Sequence, residues 1–384
     1  MSGGVAVAFG SMFYAVSVML TDTAAGAEFS TTVLSLAYGG FVMVGGGLAF
    51  LIGRRADRHG IRTLTVTGFC LGAAGLIVFG RATEPWQVVA ASWLLMGPAG
   101  GLTFYEPAFI AVDQWFGRRH RARALAVLTL IGGLAGPLFL PGTERLVNAL
   151  GWRDTTLVLA GIMALTGLVE SLILPHGIPH RDPSAPTKAI RRPLLIDRRF
   201  VLFTAAMALS FGAFQSVFFH RIAVFEEAGF AVITVTVWAA ASSLLSLPGR
   251  YAGPYLAERF GGIPLYAAAT VLSAGAVIVM AGSGTWRMPV HFIGFGLIFG
   301  ATLPMRAVVM AHWYTGPGYG RVMGTQWSIA AIGGAVMPML IGLLRDRGGG
   351  YGPALAAVAV LFLLAAVAAV LSGRSSPPGW ERVA

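Results

Sequence analysis

Charge is scarce in this sequence. Only 11% of its 384 residues are Asp, Glu, Lys or Arg, while 56% are hydrophobic; a soluble globular chain carries about a quarter charged residues. That balance excludes an ordinary soluble domain. Cysteine is nearly absent. Cys70 stands alone, so no intramolecular disulfide, cysteine-rich zinc site or redox pair can be built, and it reads as a small buried apolar residue. There is no Walker loop, no His-Glu-x-x-His, no Gly-x-Ser-x-Gly and no cluster of metal ligands, so neither an enzyme nor an ATP-driven pump is expected and no cofactor or metal is called for. Collagen periodicity and polar low-complexity tracts are missing too, although glycine reaches 52 and proline 20. Glycine then reads as close helix packing in lipid.

Long apolar runs fill the space that charge leaves. A bilayer core roughly 30 Å thick needs about 20 mostly apolar residues per helix, and twelve such runs occur, at 3–21, 31–52, 63–80, 87–111, 124–141, 154–174, 200–220, 231–251, 263–281, 288–311, 322–344 and 352–372. The first lacks the basic flank and cleavage site of a secretory signal and is read as a retained helix. Net charge is +11, and its distribution explains it. With the N-terminus inside, 18 basic residues fall in cytoplasmic segments and 7 in outer ones, with Arg250 and Arg306 inside runs. This bias predicts both termini on the cytoplasmic side of the cell (inner) membrane and removes nucleic acid as a partner. Trp86, Trp152 and Trp286 at outer edges, with Trp115 and Trp313 at inner ones, suit that topology.

One long polar stretch, Pro175 to Arg199, divides the chain into two bundles, 1–174 and 200–384 with a short tail, joined by a cytoplasmic linker at 175–199. The halves echo each other. Gly53-x-x-x-Asp57-Arg58-x-Gly60-x-Arg62 follows the second run, and Pro254-x-x-x-Glu258-Arg259-x-Gly261 follows the eighth, which points to duplication.

The first of these resembles the signature loop of the major facilitator superfamily. That resemblance implies an all-α integral membrane fold of twelve transmembrane helices in two pseudo-symmetric six-helix bundles. It also implies a conformational latch: Asp57 facing the start of the eleventh helix near Gly320, Arg58 pairing with Asp113 at the end of the fourth, and Gly53, Gly60, Arg62, Glu258 and Arg259 completing the two copies. A solvated loop that merely sets topology is the bland alternative. Glu28-Phe-Ser, Trp115-Phe-Gly-Arg-Arg-His-Arg-Ala-Arg-Ala and Gly342-Leu-Leu-Arg-Asp346 look similar to the monocarboxylate and oxalate/formate transporter branch. In this superfamily, helices 1, 4, 7 and 10 line a central cavity.

Ionisable groups inside spanning helices are costly and rank first as functional candidates. Arg250 resembles the helix 8 arginine that holds the substrate carboxylate in that branch; its planar fork suits two parallel hydrogen bonds. Ser246 stands where the mammalian group has an aspartate, and a snorkelling arginine is the rival reading. Glu106, between Tyr105 and Pro107, and Arg306, after Pro304, occupy nearly corresponding places, and both prolines suggest loosened helices. Glu106 is the expected proton-coupling residue, against a static Glu106–Arg306 ion pair. Tyr14, Tyr105, Gln215, Gln326 and Trp327 are candidate substrate contacts or, equally, helix-packing groups. Asp22, His220 and Arg221 read as solvated outer residues, His291 as structural, and Glu170 as facing the periphery. Gly68-x-x-x-Gly72, Gly132-x-x-x-Gly136 and Gly296-x-x-x-Gly300 read as sites of helix approach.

The expected function is secondary active transport of a small organic anion, a monocarboxylate, by alternating access, with proton coupling or anion exchange, by a monomer in contact with protons and lipid. The rival is a proton-coupled efflux pump for drugs or hydrophobic metabolites. A nutrient sensor built on a transporter fold is disfavoured by the lack of an appended soluble domain.

Overall fold

Apolar runs punctuated by glycine and proline fold here into helices that those same residues interrupt. The computed structural model describes residues 1–19, 28–29, 31–116, 118–177, 197–314 and 318–375; Asp22, most of the linker and the tail lie outside them. Among the described residues every regular element is helical. The N-terminal part contains α1 (Ser2–Phe9) and α2 (Ala15–Met19), joined by a π turn at Gly10–Tyr14, then α3 (Thr31–His59) and α4 (Arg62–Gly80). Next come α5 (Pro85–Ala90), a π turn at Ala91–Met96, α6 (Gly97–Thr103), α7 (Tyr105–Trp115), α8 (Arg118–Gly133) and α9 (Ala135–Ile173). The C-terminal part contains α10 (Arg198–Glu227), α11 (Val232–Phe260), α12 (Gly262–Met280), α13 (Arg287–Tyr314), α14 (Tyr319–Gly348) and α15 (Tyr351–Arg374).

Several ends differ from expectation. The signature motif after the second run is helix rather than loop: α3 continues to His59, and only Gly60 and Ile61 precede α4. Gly60 supplies the turn with φ +73°, and a Cβ there would lie 2.3 Å from the Gly177 carbonyl oxygen; glycine alone adopts that conformation cheaply. The weaker copy behaves alike, with α11 reaching Phe260 and Gly261 at φ +89°. Within α9, Gly151 at φ +78° separates the continuation of the fifth run from the sixth. Nine helical stretches among the described residues are long and apolar enough to cross a membrane, and one of them, His120–Ile173, is 54 residues long, ample for two crossings.

The chain forms two compact units, 1–187 with 315–328 and 188–314 with 329–384, so α14 contributes its start to the first and its remainder to the second. In the first, α4 packs along α9 and against α6, and α3 lies on α6. Small residues permit this: a Cβ on Gly45 would lie 2.9 Å from the Gly97 carbonyl oxygen, and Gly167 faces Phe69. In the second, α11 packs along α13, while α15 packs on α10 and α12. Gly249, Gly296 and Gly300 stand at the α11–α13 crossing, where Cβ atoms would come within 2.1, 2.5 and 1.9 Å of backbone oxygens. The core of each unit is aliphatic and aromatic, centred on Met12, Phe69, Phe79 and Met163 in one and on Phe214, Phe292, Phe295 and Phe362 in the other. Cys70 is exposed on α4 rather than buried.

Candidate functional site

The end of α3 and the start of α14 meet within the first unit. A Cβ on Gly53 would lie 1.9 Å from the Gly320 carbonyl oxygen, and one on Gly324 would lie 2.1 Å from that of Ala49. These positions recur one turn apart, so nothing larger than hydrogen fits at the crossing. Further along the seam Ser328 donates to the Gly46 carbonyl at 2.9 Å. Asp57 shares the face of Gly53, four residues away, and its carboxylate accepts from the backbone N–H groups of Gly320 and Arg321, both at 2.8 Å. The first N–H groups of a helix lack internal acceptors and carry the positive end of its dipole, so an anion is favoured there.

Arg58 departs from expectation. Successive helical residues point about 100° apart, and with Asp57 turned toward α14, Arg58 is exposed. Asp113 pairs instead with Arg121 of α8, at 2.6 Å. Arg62 donates from Nε to the Ser171 carbonyl at 3.1 Å and also contacts His176, so its charge lies at the C-terminal end of α9. Gln114 reaches back to the Ala56 carbonyl at 3.0 Å.

A second arrangement surrounds the break between α6 and α7. Pro107 offers no N–H to the Thr103 carbonyl four residues earlier, and its ring crowds that group. Accordingly α6 ends at Thr103, Phe104 is extended (φ −77°, ψ −160°), and α7 restarts at Tyr105. Pro304 lies inside an uninterrupted α13, so only one of the two proline positions breaks its helix. Glu106, 6% exposed, sits in the first turn of α7. Phe104 stacks on Phe9 with ring centroids 3.8 Å apart, and Tyr105 stacks on Phe109 at 5.7 Å. The tyrosines rest on glycines: Cβ atoms on Gly132 and Gly136 would come within 2.4 Å of Tyr105 and 3.2 Å of Tyr14. The glycine pair in α8 and α9 thus cradles aromatic rings rather than a neighbouring backbone. Gln326 is buried and Trp327 half-buried on the part of α14 that groups with this unit.

Glu28 and Glu170 have structural tasks. Glu28 accepts from the Trp152 indole at 3.0 Å and pairs with Arg153, which itself donates to the Gly80 and Ala82 carbonyls. Desolvation opposes the Glu28 charge, yet the Trp152 and Arg153 hydrogen bonds and the Arg153 charge outweigh it and hold the carboxyl below its ordinary value. Glu170 is buried rather than peripheral, its carboxylate 2.9 Å from the Met1 amino group.

In the second unit, Arg250 is 8% exposed. Its Nε donates to Ser246 Oγ at 3.4 Å and its guanidinium lies 5.9 Å from the Phe299 ring centroid. Ser246 thus occupies the place one turn earlier with a neutral oxygen. Arg306 is fully buried on α13. Gln215 packs on Gly334. Glu258 and Arg259 are exposed at the end of α11. Two residues expected in solvent are not there. Arg221 is 7% exposed, its guanidinium 4.7 Å from the Phe218 centroid and 5.2 Å from that of Phe292. His220 bridges Tyr351 and the Pro338 carbonyl, at 3.2 and 3.0 Å. The sequence hides this because α10 runs seven residues beyond the end of its apolar run. His291 is structural: its Nδ1–H donates to the Ala276 carbonyl at 2.9 Å.

Buried charge is therefore segregated. Among the described residues the buried arginines, Arg221, Arg250 and Arg306, all belong to the second unit, and the buried carboxylates, Glu106 and Glu170, to the first. No group of three or more His, Cys, Asp or Glu among the described residues could hold a metal ion.

A profile of the Major Facilitator Superfamily matches residues 1–305. Human "Monocarboxylate transporter 11" is 28% identical over 313 residues, covering 77% of this chain and 65% of that protein, so the chain spans just under two thirds of that relative. Rat "Monocarboxylate transporter 13" is 26% identical over 320 residues, covering 81% and 72%. The crystal structure of the transporter FucP in the outward conformation matches with a TM-score of 0.78 at 14% identity, covering 97% of this chain and 98% of that one, a likeness of fold.

Proposed function

Because this chain belongs to the Major Facilitator Superfamily, we propose that it is a secondary transporter that carries a small organic anion, a monocarboxylate, by alternating access. It crosses the membrane twelve times, with both termini cytoplasmic, and couples transport to protons or to exchange of a second anion. The supporting observation is the segregated buried charge, with Arg250 and Arg306 both buried in one unit. A guanidinium presents a planar fork whose geometry matches the two oxygens of a carboxylate.

In this reading Arg250 holds the carboxylate through its fork and Ser246 orients Nε. Arg306 adds a second positive charge, and Tyr14, Tyr105, Gln215, Gln326 and Trp327 shape the rest of the passage. Glu106, buried in the first turn of α7, carries the coupling proton. Asp57, capping the start of α14, is the latch.

The test is uptake of labelled carboxylates into proteoliposomes, with and without a pH gradient. Wild type is expected to accumulate at least one of them. Arg250→Ala should lose uptake while keeping its elution profile, and Glu106→Gln should abolish stimulation by the gradient. Uptake unchanged in Arg250→Ala would sink the assignment of that arginine. The aromatic stack beside Glu106, with Phe9, Phe104, Tyr105 and Phe109, favours one alternative, efflux of hydrophobic compounds. Dye efflux that needs Glu106 and ignores Arg250 would establish it.

A further inference from the structure

Five aromatic side chains of the first unit close into a circuit. Phe9 meets Phe13 edge to face at 5.9 Å, Phe13 meets Tyr38 at 5.5 Å, and Tyr38 meets Phe41 at 6.2 Å. Phe41 then meets Phe104 edge to face at 6.0 Å, and Phe104 stacks on Phe9 at 3.8 Å. The rings come from α1 and its π turn, from the first half of α3, and from the extended residue between α6 and α7, all within one unit. Phe13 lies inside the π turn and Phe104 in the helix break, so two backbone irregularities aim rings at one place; π turns inside α-helices gather at functional sites. Gly100 leaves room for the junction, since a Cβ there would lie 3.1 Å from Phe41 and 3.3 Å from Phe104.

The circuit is open to approach. Phe41 is 3% exposed, but Phe9, Phe13, Tyr38 and Phe104 are only half-buried. A purely structural cluster buries its members, as Phe214, Phe292, Phe295 and Phe362 are buried in the second unit. The open area of Tyr38 is not on the lipid side. On α3 the outward stripe is marked by Leu36 and Met43, each more than half exposed and nearly two full turns apart. Tyr38 stands two residues from Leu36 and therefore about 200° around the helix. It turns toward Phe13 of the neighbouring helix, and the ring area left uncovered lies on the side of α3 away from lipid. Arene faces are negative and arene edges positive, so rings set edge to face and offset, as these are, complement a further arene better than a saturated chain.

We propose that this circuit receives the ring of the substrate, so that the organic anion is an aromatic monocarboxylate of the benzoate or phenylacetate kind, with Phe13 and Tyr38 setting the preference. This rests on the reading of the protein as an organic-anion transporter, which supplies the carboxylate, and narrows it. A saturated acid of equal size gains only the burial of apolar area beside these rings, whereas an arene gains the ring-to-ring contacts as well.

The test is uptake by the full chain in proteoliposomes, with entry into protein-free liposomes subtracted. Labelled benzoate is compared with cyclohexanecarboxylate, which keeps the carboxylate and the six-membered ring without the π faces, with acetate, and with neutral benzamide. Wild type is expected to show a kcat/KM for benzoate about tenfold above that for cyclohexanecarboxylate, with benzamide not carried. Tyr38→Leu and Phe13→Leu keep apolar bulk and remove a ring, and should bring that ratio down to about one, while Tyr38→Phe should hold it near the wild-type value. If a leucine variant fails to elute as a single species, the methionine variant at that position replaces it. A wild-type ratio near one, or acetate carried without benzoate, overturns the aromatic assignment and leaves the organic-anion reading standing. So does a wild-type preference that survives in the folded Phe13 and Tyr38 variants while their melting temperature falls, the result expected of rings that only hold α1 to α3. Benzamide carried as fast as benzoate overturns it in favour of efflux of hydrophobic compounds. Uptake of none of the acids by wild type overturns the organic-anion reading and this narrowing with it.

Discussion

Replacing Gly53 with alanine is expected to open the seam between α3 and α14 and, through it, to release Asp57. The new Cβ would sit 1.9 Å from the Gly320 carbonyl oxygen, where a carbon and an oxygen normally keep about 3.3 Å. The helices must therefore part by roughly 1.4 Å locally. Asp57 lies one turn further on, and its two 2.8 Å hydrogen bonds to Gly320 and Arg321 would stretch beyond the ~3.2 Å limit of a sound bond. Each charge-assisted bond contributes about 1.5–3 kcal/mol. Asp57 is only half-buried, so solvent screening takes the lower end, about 3 kcal/mol for the pair, or roughly a hundredfold in the closed-to-open ratio of this seam. Asp57→Asn should lose about half of that, because the amide keeps one acceptor and turns a donor toward the second N–H. The assay is the melting temperature of purified Gly53→Ala, Asp57→Asn and the double variant. The double variant should lose little more than Gly53→Ala alone, since both act on one set of contacts. A Gly53→Ala protein that melts with wild type, or losses that simply add, would refute this account of the seam.

Other consequences are open to measurement. Pro107→Ala restores an N–H to the Thr103 carbonyl and should let α6 and α7 join, raising the melting temperature while slowing uptake. Gly132→Val should displace the Tyr105 hydroxyl, which a Cβ would already approach to 2.4 Å, and lower kcat/KM at least tenfold while the protein still elutes as a single species. For Glu28 the folded pKa lies below its ordinary value of 4.5. Its contribution to stability is therefore present above that value and fades as pH falls through the folded pKa. The melting-temperature gap between wild type and Glu28→Gln should then be open at pH 7 and close as the pH drops below about 4; a gap independent of pH would remove the Arg153 and Trp152 pairing as its source.

Composition and run length made the membrane class legible, because a bilayer imposes one length scale and one polarity on every helix that crosses it. The motif around Asp57 was legible in identity, and its partner near Gly320 followed from the motif's resemblance to the superfamily's signature loop; the structure adds that the carboxylate, four residues after Gly53, shares its face. The motif's setting was not legible: helix α3 continues through the polar residues to His59, where a hydropathy reading ends a run at the first charges. The same blindness put His220 and Arg221 in solvent. Arg58 failed for a different reason, as neighbouring residues on a helix diverge by about 100° and cannot share a partner side.

What the sequence alone determined was the inventory: helices of membrane length, two echoing halves, glycines where chains approach and a handful of ionisable groups in apolar surroundings. Local spacing suffices for these, because periodicity and turn chemistry act over a few residues. Only the tertiary structure decided which groups meet. That Asp113 pairs with Arg121, that Gly132 and Gly136 receive tyrosine rings, and that Arg221 stands between Phe218 and Phe292 depend on the rotation of each helix about its axis. That rotation is fixed by the packing of all its neighbours together and leaves no trace in the spacing of any one segment.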